Sequence, residues 1–77
     1  MHMDAPFFDK SLLIKLVKTP MPFGKYQGRL IIDLPEPYLL WFERKGFPKG
    51  EISDLLRLAL EIAVSGSTDI IRALKNA

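Results

Sequence analysis

Met21-Pro22-Phe23-Gly24-Lys25-Tyr26-Gln27-Gly28-Arg29-Leu30-Ile31-Ile32-Asp33-Leu34-Pro35 is the stretch on which the fold class turns. Two short apolar runs flank a segment bracketed by Gly24 and Gly28. Glycine takes positive φ at no steric cost, so the pair suits a tight reversal of the chain. Apolar runs on either side of a glycine-bounded turn predict a small β-hairpin, with Leu30-Ile31-Ile32 as its clearer strand. Two strands alone are marginal in water, so such a ribbon must lie on helices.

Outward from this stretch the pattern is helical. On the N-terminal side, Leu12, Leu13, Leu16 and Val17 share one face at 3.6-residue spacing, with Lys15 and Lys18 opposite. Asp9 or Ser11 is placed to cap this helix, and Thr19-Pro20 ends it, because a residue before proline is pushed out of the helical region. On the C-terminal side, Pro37 suits a first helical turn, where its missing N–H is not needed. The predicted helix runs from Tyr38 to about Lys45, and Gly46 and Pro48 stop it. A third helix is predicted from Lys49 or Glu51 to Val64. Its apolar residues, from Ile52 to Ala63, cover about 200° of the wheel, so it should be central. Ser65-Gly66 ends it, and Ser67 or Thr68 caps a last short helix with Ile70, Ile71 and Leu74 turned inward. The expected class is therefore α+β: helix, two-stranded ribbon, then three helices. Residues 1–8 are expected to be a flexible N-terminus and residues 9–77 one globular domain. Met1-His2 stays open between a native beginning and two residues ahead of a start at Met3.

At 77 residues the chain has room for one domain, with 48% hydrophobic residues to fill its core. Domains of this size bury only about 60% of the unfolded chain's surface, so the core is thin. There is no cysteine, hence no disulfide framework and no thiolate ligand or nucleophile. Small secreted domains lean on disulfides, so the expected location is the cytoplasm. The longest apolar runs, such as Leu58 to Leu60 and Ile62 to Val64, are too short to span a bilayer, and no membrane association is expected. Net charge is only +2, but it is unevenly spread. From Lys15 to Lys49 there are seven basic residues against three acids, a net of +4, and the two ends carry −1 each. That basic middle also holds most of the aromatic residues.

Catalytic chemistry finds little to stand on. His2 is the only histidine, and without cysteine it cannot assemble the roughly four ligands of a zinc site. Neither a Ser-His-Asp nor a Cys-His arrangement can be built. Asp33 with Glu36, and Glu51 with Asp54, are the conceivable carboxylate pairs. Both sit where acids favour helix N-termini, and Asp33 reads as a cap for the helix containing Tyr38. No catalytic residue, metal or cofactor is therefore expected.

Phe23-Gly24-Lys25-Tyr26-Gln27-Gly28-Arg29 is the informative segment. A glycine-bounded turn can aim backbone N–H groups at an anion, with Lys25 and Arg29 beside it. It is not a P-loop, since G-x-x-x-x-G-K-[ST] is absent. Gly24 and Gly28 can equally do no more than supply positive φ, with Tyr26 folded back onto Trp41. Tyr38, Trp41, Phe42 and Phe47 can stack bases, as aromatics do in single-strand binders, or can be core. Trp41 and Phe23 are read as core and Tyr26 as an exposed ring. Lys45 and Lys49, with Arg44, can extend the basic surface or simply suit a helix C-terminus.

In order, Met21 to Arg29, Asp33-Leu34-Pro35-Glu36-Pro37-Tyr38-Leu39-Leu40-Trp41-Phe42 and Lys45-Gly46-Phe47-Pro48-Lys49-Gly50-Glu51 resemble a bacterial family of small proteins described as quorum-sensing-regulated virulence factors. The resemblance covers about residues 12–64 and implies regulated expression, not a chemistry. A shorter core made by Phe23, Gly24, Lys25, Tyr26, Gly28, Leu34, Pro35, Tyr38, Leu39 and Trp41 is similar to the C-terminal accessory domain of exodeoxyribonuclease X-like proteins. That likeness implies a module sitting beside a nuclease that acts on DNA. The nuclease's own carboxylates have no counterpart here.

Two functions are carried forward. One is a nucleic-acid-associated accessory module that contacts DNA phosphates through Lys25, Tyr26 and Arg29, with Lys45 and Lys49 as further candidates. The other is a protein-interaction adaptor using the same surface or the Leu40 side of the second helix, as a monomer or weak homodimer.

Overall fold

The computed structural model describes residues 10–76, without the side chain of Asn76. The readings made of residues 1–8, of Asp9 as a cap and of His2 lie outside the described residues. The described residues form four α-helices: α1 (Lys10–Lys18), α2 (Glu36–Lys45), α3 (Glu51–Ser65) and α4 (Thr68–Arg72). Short 3₁₀ helices occupy Ile31–Asp33 and Ala73–Asn76.

The α+β expectation is overturned. Among the described residues there is no strand, only one isolated antiparallel bridge between Pro20 and Leu30. The arms of the turn do approach one another. Met21 N–H donates to Arg29 O at 2.7 Å, Gly28 N–H to Met21 O at 2.9 Å and Ile31 N–H to Thr19 O at 3.0 Å. The ladder cannot lengthen, because Pro20 and Pro22 have no N–H to donate. Burial sets the conformation beyond Leu30. Ile31 and Ile32 are adjacent and both buried, as is Leu34. A strand would send the two isoleucines to opposite faces. The 3₁₀ turn, closed by Asp33 N–H to Leu30 O and Leu34 N–H to Ile31 O, puts them all in the same core.

The helices match their sequence signals closely. α1 buries Leu16 and Val17, with Leu12 and Leu13 half-buried beside them. Ser11 lies inside α1 and is not its cap. α3 buries Leu55, Leu56, Leu58, Ala59, Leu60 and Ile62, and packs against both α1 and α2. It ends at Gly66, whose left-handed φ of 76° lets its N–H reach the helix's last carbonyls. α2 begins two residues before Tyr38, at Glu36, with Pro37 in its first turn. Asp33 does not cap it: Pro35 stands at the N-cap without a side-chain bond, and Asp33 Oδ1 accepts from Arg72 Nε at 2.8 Å. That ion pair ties the 3₁₀ turn to α4. Of the residues near the C-terminus expected inward, Ile71 of α4 and Leu74 of the following 3₁₀ helix pack against the core, whereas Ile70 is exposed. No described helix is long and apolar enough to cross a membrane.

Candidate functional site

The loop from Met21 to Leu30 is folded by its own backbone. Gln27 N–H donates to Gly24 O, Gly28 N–H to Met21 O, and Arg29 N–H to Tyr26 O. Gly24 and Gly28 both take positive φ, 81° and 92°, which side-chain-bearing residues rarely adopt. Three of the loop's amides are thus occupied internally, and the cations beside them are the side chains of Lys25 and Arg29.

Those side chains converge on one ring. Arg29 Cζ lies 4.9 Å and Lys25 Nζ 5.5 Å from the centre of the Tyr26 ring, both within cation–π range. Lys25 and Arg29 are exposed, and among the described residues neither forms an ion pair. Tyr26 is half-buried, not the free ring expected, and it folds onto Tyr38, not Trp41.

Tyr26 opens a run of aromatic contacts. It meets Tyr38 edge-on at 4.7 Å, Tyr38 meets Phe42 at 5.1 Å, and Phe42 meets Trp41 at 5.1 Å. Phe42 also stacks on Phe47 at 6.2 Å, and Phe47 carries the Arg57 guanidinium 4.4 Å from its centre. Edge-to-face contacts of this kind fix ring orientation as well as burying area. The Tyr38 hydroxyl stands 3.1 Å from where a Cβ on Gly24 would lie, so the loop is seated directly on α2. Burial, and secondarily the charge that would form on Tyr26, raises the Tyr38 phenol above the usual tyrosine range.

Loop and helix enclose a groove of about 720 Å³. Phe23, Gly24, Lys25 and Tyr26 form one wall, and Pro35, Pro37, Tyr38, Trp41 and Phe42 the other. Lys25 is the only charged residue of the lining. The reading of Phe23 and Trp41 as core is corrected here: they are 40% and 44% exposed and present ring surface to the groove. The reason lies in the helical wheel. The buried stripe of α2 is centred on Leu39 and Phe42, and at about 100° per residue Trp41 falls about 130° from that centre, beyond the stripe's edge. Trp41 shares that side of the helix with Lys45, one turn on, a signal the sequence carried. Pro37 was not singled out as a site residue, although a Pro-Glu-Pro step opening an aromatic helix marks a stiff wall. Lys45 closes α2 and Lys49 lies in the link to α3; neither lines the groove.

Among the described residues no group of three or more His, Cys, Asp or Glu stands together to hold a metal. Fold and site together define a small all-helical domain that carries an aromatic groove beside a basic turn. The chain belongs to the family described as "Putative quorum-sensing-regulated virulence factor", which matches residues 9–74. It is 50% identical over 68 residues to the uncharacterized protein YpeB of Escherichia coli strain K12, covering 87% of this chain and 94% of that protein. The same figures hold for YpeB of Escherichia coli O157:H7. No solved structure matches the chain. The family description names a regulated virulence role and no reaction. The segments on which the resemblance rests, Phe23 to Tyr26 and Pro35 to Phe42, include every residue that lines the groove.

Proposed function

We propose that the chain is a nucleic-acid-associated accessory module that contacts phosphate through Lys25 and Arg29. One observation carries this reading. Two exposed cations are held over a single ring and have no acidic partner among the described residues, while Lys15 and Arg72 elsewhere are matched to acids. Long cationic side chains that lean on an aromatic face lose less freedom on meeting an anion, because part of their ordering is already complete. Phosphate contacts of this kind bring affinity without base readout. The likeness of the loop-and-helix motif to a nuclease's accessory domain supports the same reading by analogy.

A titration of labelled single-stranded DNA, duplex DNA and RNA, read by fluorescence anisotropy, tests it. Binding should weaken with salt, with a log–log slope of about −0.7 to −0.9 for each phosphate contacted. The Lys25→Ala/Arg29→Ala double variant should lose it. Absence of binding at low salt sinks the reading. A protein adaptor is the second reading. The exposed rings of the groove and exposed Leu40 on α2 support it, and it predicts partner binding that this double variant retains.

A further inference from the structure

The groove beside the basic turn has a chemistry of its own. Its walls are rings and prolines, and its volume falls within the roughly 300–1,000 Å³ of pockets that hold small organic groups. Its rings are braced from behind. Tyr38 is locked between Tyr26 and Phe42, and Phe42 holds Trp41 edge-on. A ligand therefore meets a preformed surface, with little ordering left to do.

Two features restrict what fits. The lining is mostly ring and proline surface: Pro35 and Pro37 have no N–H, and the side-chain donors of that wall are the Tyr38 hydroxyl and the Trp41 indole N–H, too few to read a whole ligand rim. Its only charge is Lys25, at the end where Arg29 also stands over Tyr26, and it contains no acid. A flat apolar group joined to an anion satisfies both conditions. An unpaired nucleobase on its own phosphate chain has that form, whereas a base within a duplex keeps its faces stacked on its neighbours.

We infer that the groove receives an unpaired base of single-stranded nucleic acid against Trp41, while Lys25 and Arg29 hold the adjoining phosphate. This rests on the phosphate-contact reading above and adds to it a preference for single strands with tolerance of sequence. Base–aromatic stacking is sequence-tolerant because every base has a π-face.

Trp41 is the chain's only tryptophan, so its emission reports on the groove directly. The experiment titrates the unaltered chain with oligo(dT), with an abasic strand of equal length, and with the oligo(dT)·oligo(dA) duplex, following anisotropy and Trp41 emission together. Oligo(dT) should quench Trp41, while the abasic strand should bind on the order of tenfold more weakly without quenching. The duplex should likewise bind more weakly than the single strand. Trp41→Ala should erase the difference between oligo(dT) and the abasic strand and leave a salt-sensitive remainder. Because the abasic arm uses the unaltered chain, the result does not depend on that variant folding. Equal affinity for oligo(dT) and abasic strands, with emission unchanged and Lys25→Ala/Arg29→Ala abolishing both, overturns the base site and leaves the phosphate reading standing. No binding of any strand at low salt overturns both. Saturable quenching of Trp41 by a proline-rich peptide, with no oligonucleotide bound, would give the groove to an extended protein segment instead.

Discussion

α3 and α2 lie against each other, and both carry a broad apolar surface, yet they use it in opposite ways. α3 puts six aliphatic or alanine side chains into the core and leaves its charges outside. α2 buries only Leu39 and Phe42 and turns Trp41 to the groove. The difference lies in residue type as much as in position. Leucine and isoleucine gain from burial and have no second use for their surface. Tyrosine and tryptophan combine a large apolar body with a polar tip and do well where one side is packed and the other wet. In so small a domain, aliphatic side chains fill most of the thin core, with Phe42 as the aromatic residue among the buried ones described, and the other rings are left to build a surface.

The sharpest way to test that contrast is to truncate each helix at its characteristic residue. Leu56 on α3 is fully buried, and Leu56→Ala should destabilise the fold by about 2–5 kcal/mol, through lost transfer energy and the cavity left behind. Trp41→Ala removes a larger side chain that is nearly half in solvent, and its effect on urea unfolding should be clearly smaller. A Trp41→Ala cost equal to that of Leu56→Ala would mean that α2 is as much a core element as α3.

A second test concerns the seat of the loop on α2. Gly24 and Gly28 share the same backbone requirement and differ in surroundings. An alanine at either position must adopt positive φ, at a cost of order 1–3 kcal/mol. At Gly28 its Cβ meets open space, whereas at Gly24 it meets the Tyr38 hydroxyl at 3.1 Å. Gly24→Ala should therefore cost more than Gly28→Ala, and adding Tyr38→Phe should recover part of the excess. Equal costs would show that only the backbone matters and that the hydroxyl yields freely.

The helical part of this architecture was legible because its signals are local. Proline at positions 20, 37 and 48 and glycine at 46 and 66 mark boundaries that backbone sterics enforce wherever the chain goes, and the 3.6-residue repeats of α1 and α3 name their own buried faces. The ribbon was misread because its outcome is not local. Leu30-Ile31-Ile32 has a strand's composition, but Ile31 and Ile32 must both reach one core, and Pro20 and Pro22 withhold the N–H groups a ladder needs. The site was legible in part. Lys25, Tyr26 and Arg29 do come together, and both glycines do take positive φ. Phe23 and Trp41 were assigned to the core because hydrophobicity alone does not separate a core ring from a groove ring. Asp33 was assigned to the nearest helix start, since its partner, Arg72, is 39 residues away in sequence.

A subtler effect should appear on raising the pH. Tyr38 sits in the tighter ring environment, and its phenol titrates above the ordinary tyrosine value near 10 because burial disfavours the anion. The folded state holds this proton more tightly than the unfolded state. Its contribution to stability is thus complete below the unfolded value and is lost as pH rises from there through the folded value. Absorbance titration at alkaline pH should show a late phenolate step that Tyr38→Phe removes, along with part of the alkaline loss of stability. A late step that survives Tyr38→Phe would place the constrained phenol elsewhere.

The smallest effect expected is also the one that separates the two roles assigned to Asp33. As an N-cap it would support α2, and its loss would cost about 1 kcal/mol and fray that helix. As observed, it pairs with Arg72, whose guanidinium also meets Asp69 at 3.0 Å. The pair is partly exposed, and exposed pairs contribute a fraction of a kcal/mol, roughly 0–1. Asp69 keeps part of the Arg72 charge company when Asp33 is gone. Asp33→Ala should therefore shift the unfolding midpoint only slightly and leave α2 amides as protected from hydrogen exchange as before. Faster exchange should be confined to α4, the short helix that the pair tethers to the 3₁₀ turn. A cycle through Asp33→Ala, Arg72→Ala and the double variant isolates the coupling. A non-zero coupling together with unchanged α2 protection identifies a tether between turn and terminal helix. Loss of α2 protection with zero coupling would return Asp33 to the capping role its sequence position suggests.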